Sequence, residues 1–123
     1  MKIAVIGFGK MGSWLAKSLA VENEVAVYDI DSTKTSNAGN LNVLSEPAEI
    51  EAFGPEMLIN AVNLQNVISV FESAAKYLAS GCIISDVASI KGNLPQYYKK
   101  SGFRFASAHP MFGPTFAKMD SLK

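Results

Sequence analysis

The stretch "KIAVIGFGKMGSW", residues 2–14, changes character halfway along. KIAVIG (2–7) is almost entirely apolar and β-prone, as a strand covered on both faces must be. From residue 11 onward the apolar side chains recur at helical spacing. Met11, Leu15 and Leu19 fall four apart with Trp14, Ala16 and Ala20 beside them, which predicts a short amphipathic helix over 11–21. Between strand and helix lies Gly7-Phe8-Gly9-Lys10-Met11-Gly12, the spacing G-x-G-x-x-G. Glycine pairs at turns are common and say little alone. Where they close a buried strand and open a helix, each has a physical role. Gly7 permits the tight turn, Gly9 leaves room beside the backbone, and Gly12 lets helix and strand pack closely.

Outward from this unit the pattern repeats. EVAVYD (24–29) reads as a second strand, ended by Asp29, and the polar, turn-rich DIDSTKTSNAGN as a loop with one helical turn. A short third strand is expected near 41–44. EPAEIEAFG then reads as a brief helix with Pro47 near its first turn and Gly54 past its end. EMLINAV (56–62) is another buried strand. Residues 64–79 predict the clearest helix, with Leu64, Ile68, Phe71, Ala75 and Leu78 on one face and Gly81 as its stop. CIISDVA (82–88) is a fifth strand, IKGNLPQYYKK a weak helix interrupted by Pro95, and FRFASAH a sixth strand. Strands alternating with helices and joined by right-handed crossovers predict an α/β fold of Rossmann type: a doubly wound, mostly parallel sheet with helices on both faces. Such sheets bind ligands beyond the C-terminal ends of their strands, so the strand tails share one functional edge.

On that edge the first helix offers unpaired N–H groups and a partial positive charge to phosphates. Asp29 can accept hydrogen bonds from both hydroxyls of an adenosine ribose. The expected cofactor-binding set is Gly7, Phe8, Gly9, Lys10, Met11, Gly12 and Asp29, with Ala61, Val62 and Asn63 after the fourth strand. A 2′-phosphate would meet the carboxylates of Asp29 and Asp31, which favours NAD over NADP, although Ser32, Thr33 and Lys34 offset part of that repulsion. Flavins share the glycine fingerprint; the rest of the chain speaks for a nicotinamide.

Composition narrows the possibilities. The chain has 123 residues, 49% hydrophobic and 18% charged, which suits one globular domain able to bury roughly two-thirds of its unfolded surface. Eleven basic side chains balance eleven acidic ones, so no nucleic-acid partner is expected. A single cysteine, Cys82, allows no intrachain disulfide and reads as a buried thiol. No metal site is expected. The N-terminal apolar run is too short for a secretory signal, and no stretch approaches the ~20 apolar residues of a bilayer span, so a cytoplasmic protein without a membrane partner is the expectation.

Two further segments reach the ligand edge: SDVASIKG (85–92) after the fifth strand and HPMFGP (109–114) after the sixth. They bring Ser89, Lys91 and His109, the sole histidine, to strand ends near the expected nicotinamide. Removing hydride from a carbinol-type carbon requires a proton acceptor, and imidazole is poised near neutral pH. Pro110 restricts the backbone of His109 and lacks a donor of its own. Two readings stand for Ser89, a helix N-cap and a substrate hydrogen bond. Lys91 is solvated or phosphate-facing.

Taken together, GFGKMGSW, DVASIK and above all HPMFGP resemble the nucleotide-binding domain of prephenate dehydrogenases, over essentially the whole chain. The resemblance implies NAD-dependent oxidative decarboxylation of prephenate to 4-hydroxyphenylpyruvate, a step of tyrosine biosynthesis. It assigns His109 as acceptor of the ring hydroxyl's proton and Ser89 as a hydrogen-bonding partner of that hydroxyl. Asn63 stands where the family commonly has proline, and Ala88 where glycine is frequent. The family also has a helical second domain that forms a homodimer, closes the substrate site and supplies an arginine for a prephenate carboxylate. Here the single arginine, Arg104, is expected at the start of the sixth strand, away from the ligand edge. The expectation for residues 1–123 is therefore an incomplete NAD-binding domain that binds NAD without turning prephenate over. Competing readings are an arogenate dehydrogenase, a β-hydroxyacid or 6-phosphogluconate-type dehydrogenase and a non-catalytic NAD-binding redox-sensing or regulatory module.

Overall fold

The structure, a computed structural model, describes residues 1–87 and 93–107, apart from the side chains of Leu64 and Ser107. Its strands are β1 (Lys2–Ile6), β2 (Glu24–Tyr28), β3 (Asn42–Val43), β4 (Met57–Asn60), β5 (Ile83–Asp86) and β6 (Arg104–Ser107). Four α-helices join them: α1 (Lys10–Leu19), α2 (Glu49–Phe53), α3 (Leu64–Ala75) and α4 (Leu94–Ser101), with a 3₁₀ helix over Ser32–Asn37. The strands form one sheet in the order β3-β2-β1-β4-β5-β6, parallel at every pairing. This is the doubly wound order with its crevice between β1 and β4, where successive connections leave in opposite directions.

The near-continuous apolar strands follow from coverage on both faces. One face packs Ile3, Val5, Val25, Val27 and Ile59 under Leu15, Ala16 and Leu19 of α1. The other packs Ala4, Ile6, Leu58 and Ile84 under Ile50 of α2, Val67, Phe71 and Ala74 of α3, and Leu94 and Tyr98 of α4. That second core also holds polar groups: Asn60 and Asp86, adjacent in the β4–β5 register, are fully buried.

Several elements differ from the sequence expectation, each for a local reason. Helix α1 ends at Leu19, because Asn23 donates to the Leu19 carbonyl from both its backbone N–H (3.0 Å) and its Nδ2 (2.9 Å). Trp14, expected on the buried face, is 46% exposed. Helix α3 gives way at Lys76 to tighter turns, with Tyr77 N–H bonding Ala74 O and Leu78 N–H bonding Ala75 O, so Gly81 is not its stop. Its buried line runs through Val67, Phe71 and Ala74, with Ile68, Ala75 and Leu78 as flanks. Pro95 does not interrupt α4. It lies in the first turn, where its missing N–H would have had no helical partner and its fixed φ favours initiation. Among the described residues no helix is long and apolar enough to cross a membrane.

Candidate functional site

At the C-terminal edge of the sheet, the glycine loop, the end of β2 and the turn after β4 converge on a cleft of about 520 Å³. Gly7, with φ +97°, makes a turn that β-substituted residues rarely adopt. A Cβ on Gly7 would lie 2.9 Å from the Ala61 carbonyl carbon, and one on Gly12 would lie 1.8 Å from the Gly7 carbonyl oxygen. Loop, helix and the 61–63 turn are therefore in backbone contact. Gly9 differs: a Cβ there would meet no atom of the described residues within 4 Å, and Gly9 lines the cleft. The space its missing side chain leaves is open to the cleft.

Gly9 is also the N-cap of α1, without a side-chain cap and with no acidic residue in the first turn. The first-turn N–H groups and the positive end of the helix dipole are left for an anion. Asp29 is lashed to the same loop. Its Oδ2 accepts the Phe8 N–H at 2.7 Å and its Oδ1 the Asp31 N–H at 2.8 Å. A carboxylate has about four acceptor positions, so capacity remains for a ribose diol. Half-buried and tied to the loop beside the phosphate position, Asp29 suits that role. Asp31 is occupied otherwise: it caps the 3₁₀ helix, accepting from Thr33 N–H (3.1 Å) and Thr33 Oγ1 (2.6 Å). Those hydrogen bonds, with Lys34 nearby, hold its carboxyl below the ordinary value against a small opposing effect of desolvation.

Of the expected cofactor set, Gly7, Gly9, Asp29, Ala61, Val62 and Asn63 all line the cleft. Phe8, Lys10, Met11 and Gly12 do not line it. Phe8 turns its ring into the core, 3% exposed, with the Lys17 ammonium 5.9 Å from the ring centroid. What it contributes is the N–H that Asp29 holds. Gly12 acts by close packing. Ser89, Lys91, His109 and Ala88 lie outside the described residues. Arg104 begins β6 and donates from Nη2 to the Gly81 carbonyl at 3.1 Å, at the strand end away from the cleft.

The structure adds a wall that the sequence reading missed. Asn66, Ser69, Val70 and Ser73 of α3 line the cleft, together with Pro47 and Ile50 and with Ile30 and Lys34. The 66/69/73 spacing was visible as one helical stripe, but a polar stripe beside an apolar one is what any solvated helix shows. Elsewhere, burial pushes the Cys82 thiol up to about 11, which suits a packing residue and not a nucleophile. Among the described residues no group of three or more His, Cys, Asp or Glu side chains is arranged to hold a metal ion.

The geometry is that of a nucleotide-binding edge, and residues 15–122 match the family model described as the prephenate dehydrogenase nucleotide-binding domain. The chain belongs to the prephenate dehydrogenase family. Arogenate dehydrogenase 1 of Arabidopsis thaliana, a chloroplastic protein, is 28% identical over 124 aligned positions, 96% of this chain and 19% of that protein. Among solved structures, the prephenate dehydrogenase of Aquifex aeolicus, in complex with hydroxyphenyl propionate and NAD+, matches with a TM-score of 0.80 at 24% identity, over 89% of this chain and 41% of the other. The arogenate dehydrogenase of Synechocystis matches with a TM-score of 0.77 at 18% identity, over 89% of this chain and 40% of the other. At those identities the two structures speak to the fold. The chain spans about two-fifths of each solved relative and a fifth of the plant one.

Proposed function

We propose that this chain is the NAD-binding part of a dehydrogenase that oxidatively decarboxylates prephenate to 4-hydroxyphenylpyruvate. The observation that carries the reading is the Asp29 carboxylate, bound to the Phe8 N–H at 2.7 Å and facing the same cleft as Gly9. One cleft thus joins a diol acceptor to an uncapped helix N-terminus, the two features an adenine dinucleotide requires. Asp29 favours NAD, because a 2′-phosphate would press a second negative charge against it. Thr33, whose hydroxyl is bonded to Asp31, gives such a phosphate no free donor. Lys34, which lines the cleft, favours NADP, as does the hydroxyl of Ser32 beside it.

Bound in this cleft, NAD would supply the hydride acceptor for the ring carbon that bears the prephenate hydroxyl. His109 takes the proton of that hydroxyl, Ser89 hydrogen-bonds the same oxygen, and loss of CO2 makes the ring aromatic. The residues' work is alignment and proton removal. A helical segment of the whole protein would close the substrate site, bind a substrate carboxylate through an arginine and form a homodimer. Arogenate, with an amine in place of the side-chain keto group, is the second reading, favoured by the plant relative.

Calorimetry of this chain with NAD and NADP tests the cofactor, and steady-state assays of the whole protein with prephenate and arogenate test the substrate. In that protein His109→Ala should lower kcat by ~100-fold or more with NAD affinity unchanged. Undiminished turnover removes His109 from the mechanism, and failure of this chain to bind either dinucleotide removes the cofactor reading.

A further inference from the structure

We propose that Asn60 is a positioning residue that sets the width of the cofactor cleft. Asn60 ends β4, fully buried after Met57, Leu58 and Ile59. An amide in such a place is costly unless its polar atoms are matched. Here both are: Oδ1 accepts the Val62 N–H at 3.3 Å, and Nδ2 donates to the Val67 carbonyl at 3.0 Å. The partners fix the amide's orientation, since the flipped form would set donor against donor and acceptor against acceptor.

Those two bonds reach the two walls. On one side, Val62 belongs to the turn that backs the glycine loop. Ala61 N–H extends the β1–β4 ladder to Ile6 O at 2.7 Å, and Cβ atoms on Gly7 and Gly12 would approach the turn within 2.9 and 3.3 Å. On the other side, Val67 lies in the first turns of α3, the helix that carries Asn66, Ser69 and Ser73 along the cleft. The side chain of Asn63 makes no cap hydrogen bond to α3, so the Asn60 amide supplies a side-chain tie between that helix and the strand end. Packed groups transmit displacements of a few tenths of an ångström. Without the tie, α3 and the 61–63 turn settle independently, and a dinucleotide spanning both walls meets a cleft of altered width.

This inference rests on the reading that the cleft holds NAD, and the test separates the two. NAD affinity and unfolding midpoint are measured for this chain, for Asn60→Leu, which keeps the branched shape with bulkier ends and loses both bonds, and for Asn60→Asp. In the latter the ionised carboxyl keeps an acceptor for Val62 N–H but has no donor for Val67 O; protonated, it regains one. Burial and the Asp86 carboxyl in register on β5 both push the introduced group's pKa up. The other titratable groups on the elements around it are Glu72 on α3, Tyr97, Tyr98, Lys99 and Lys100 on α4, Glu49 and Glu51 on α2, Tyr28 on β2, and, at the opposite strand ends, Lys2 on β1 and Glu24 on β2.

Asn60→Leu should weaken NAD binding by roughly 3- to 10-fold, the scale of one or two net hydrogen bonds. Asn60→Asp should bind NAD progressively better as the pH is lowered from about 9 to about 5 and the carboxyl takes up its proton, a trend that wild type and Asn60→Leu do not show. Variants that melt earlier yet bind NAD as wild type does overturn the positioning role. Failure of wild type to bind NAD overturns the cofactor reading and this inference with it. Should Asn60→Asp not fold, the affinity of Asn60→Leu decides.

Discussion

The two walls of the cleft are held by different physics. The glycine wall is backbone against backbone: Gly7, Gly12 and Ala61 approach so closely that no side chain fits between them, and the shape is set by what is missing. The α3 wall is side chain on backbone, with the Asn60 amide reaching one way to Val62 and the other to Val67. Beyond it, at the end of β5, a buried pair ties side chain to side chain, Tyr98 Oη donating to Asp86. Steric exclusion leaves one geometry and tolerates no change, whereas hydrogen bonds define a geometry that survives their loss in weakened form.

The largest effect should therefore come from Gly12→Ala. A Cβ 1.8 Å from a carbonyl oxygen cannot be absorbed by rotating a side chain, because its neighbour is main chain. The expected cost is on the order of 3 kcal/mol or more, the upper end of overpacking, read as an early urea midpoint or a failure to fold. A folded variant with near wild-type stability would show that the loop and α1 can separate, and that the glycine wall is no stiffer than the α3 wall.

Tyr98→Phe is the intermediate case. The ring stays, with its 4.8 Å stacking on Phe105 and its edge contact with Phe71, and only the hydroxyl goes. A buried carboxyl loses one donor, at about 1–3 kcal/mol of stability. Burial first, and the bond to Asp86 second, hold the Tyr98 hydroxyl well above its ordinary value. The hydroxyl therefore stays a donor across pH 6–9, and the cost should not vary over that range. Because Asp86 lies on the far side of Asn60 from the glycine loop, NAD affinity should stay within about twofold of wild type, the scale of a fraction of a hydrogen bond. A larger fall would mean that the β5 end and the cofactor cleft move together.

How much of this was legible in the sequence follows the same division. That Gly7, Gly9 and Asp29 meet at one cleft could be read because residue type at fixed spacing within a strand–turn–helix unit marks it. The sheet could be read because fully covered strands are apolar throughout. Phe8 misled: it stands inside the fingerprint and looks like a ligand contact, yet its ring belongs to the core and only its N–H serves Asp29. Pro95 misled as well, since a proline that starts a helix and one that breaks it look alike until the first turn is located. Asn60 was invisible because its partners are main-chain groups two and seven residues on, and no residue pattern marks a carbonyl as waiting for an amide. Asn66, Ser69 and Ser73 carry no mark of a cleft in the sequence, since a polar stripe beside an apolar one is what any solvated helix shows.

The smallest stability effect should come from Gly9→Ala, which separates the walls' own architecture from the space between them. With φ −74° and ψ −160°, Gly9 has a backbone that alanine adopts without strain, and its Cβ would meet no described atom within 4 Å. Two small effects then oppose each other. Alanine restricts the unfolded chain, which stabilises by about 0.4–1 kcal/mol, and it is a poorer N-cap than glycine by a similar amount. The unfolding midpoint should barely move. The methyl would nevertheless occupy the approach to the α1 N-terminus, where a pyrophosphate must come within hydrogen-bonding distance of the backbone. NAD affinity should fall by about tenfold or more, the equivalent of one displaced charge-assisted hydrogen bond. Calorimetry beside a denaturation curve reads both quantities on one sample. Unchanged affinity would mean that phosphates do not approach at Gly9 and that the cleft's ligand enters elsewhere. A large loss of stability would mean that Gly9, like Gly12, is part of the wall and not of the space.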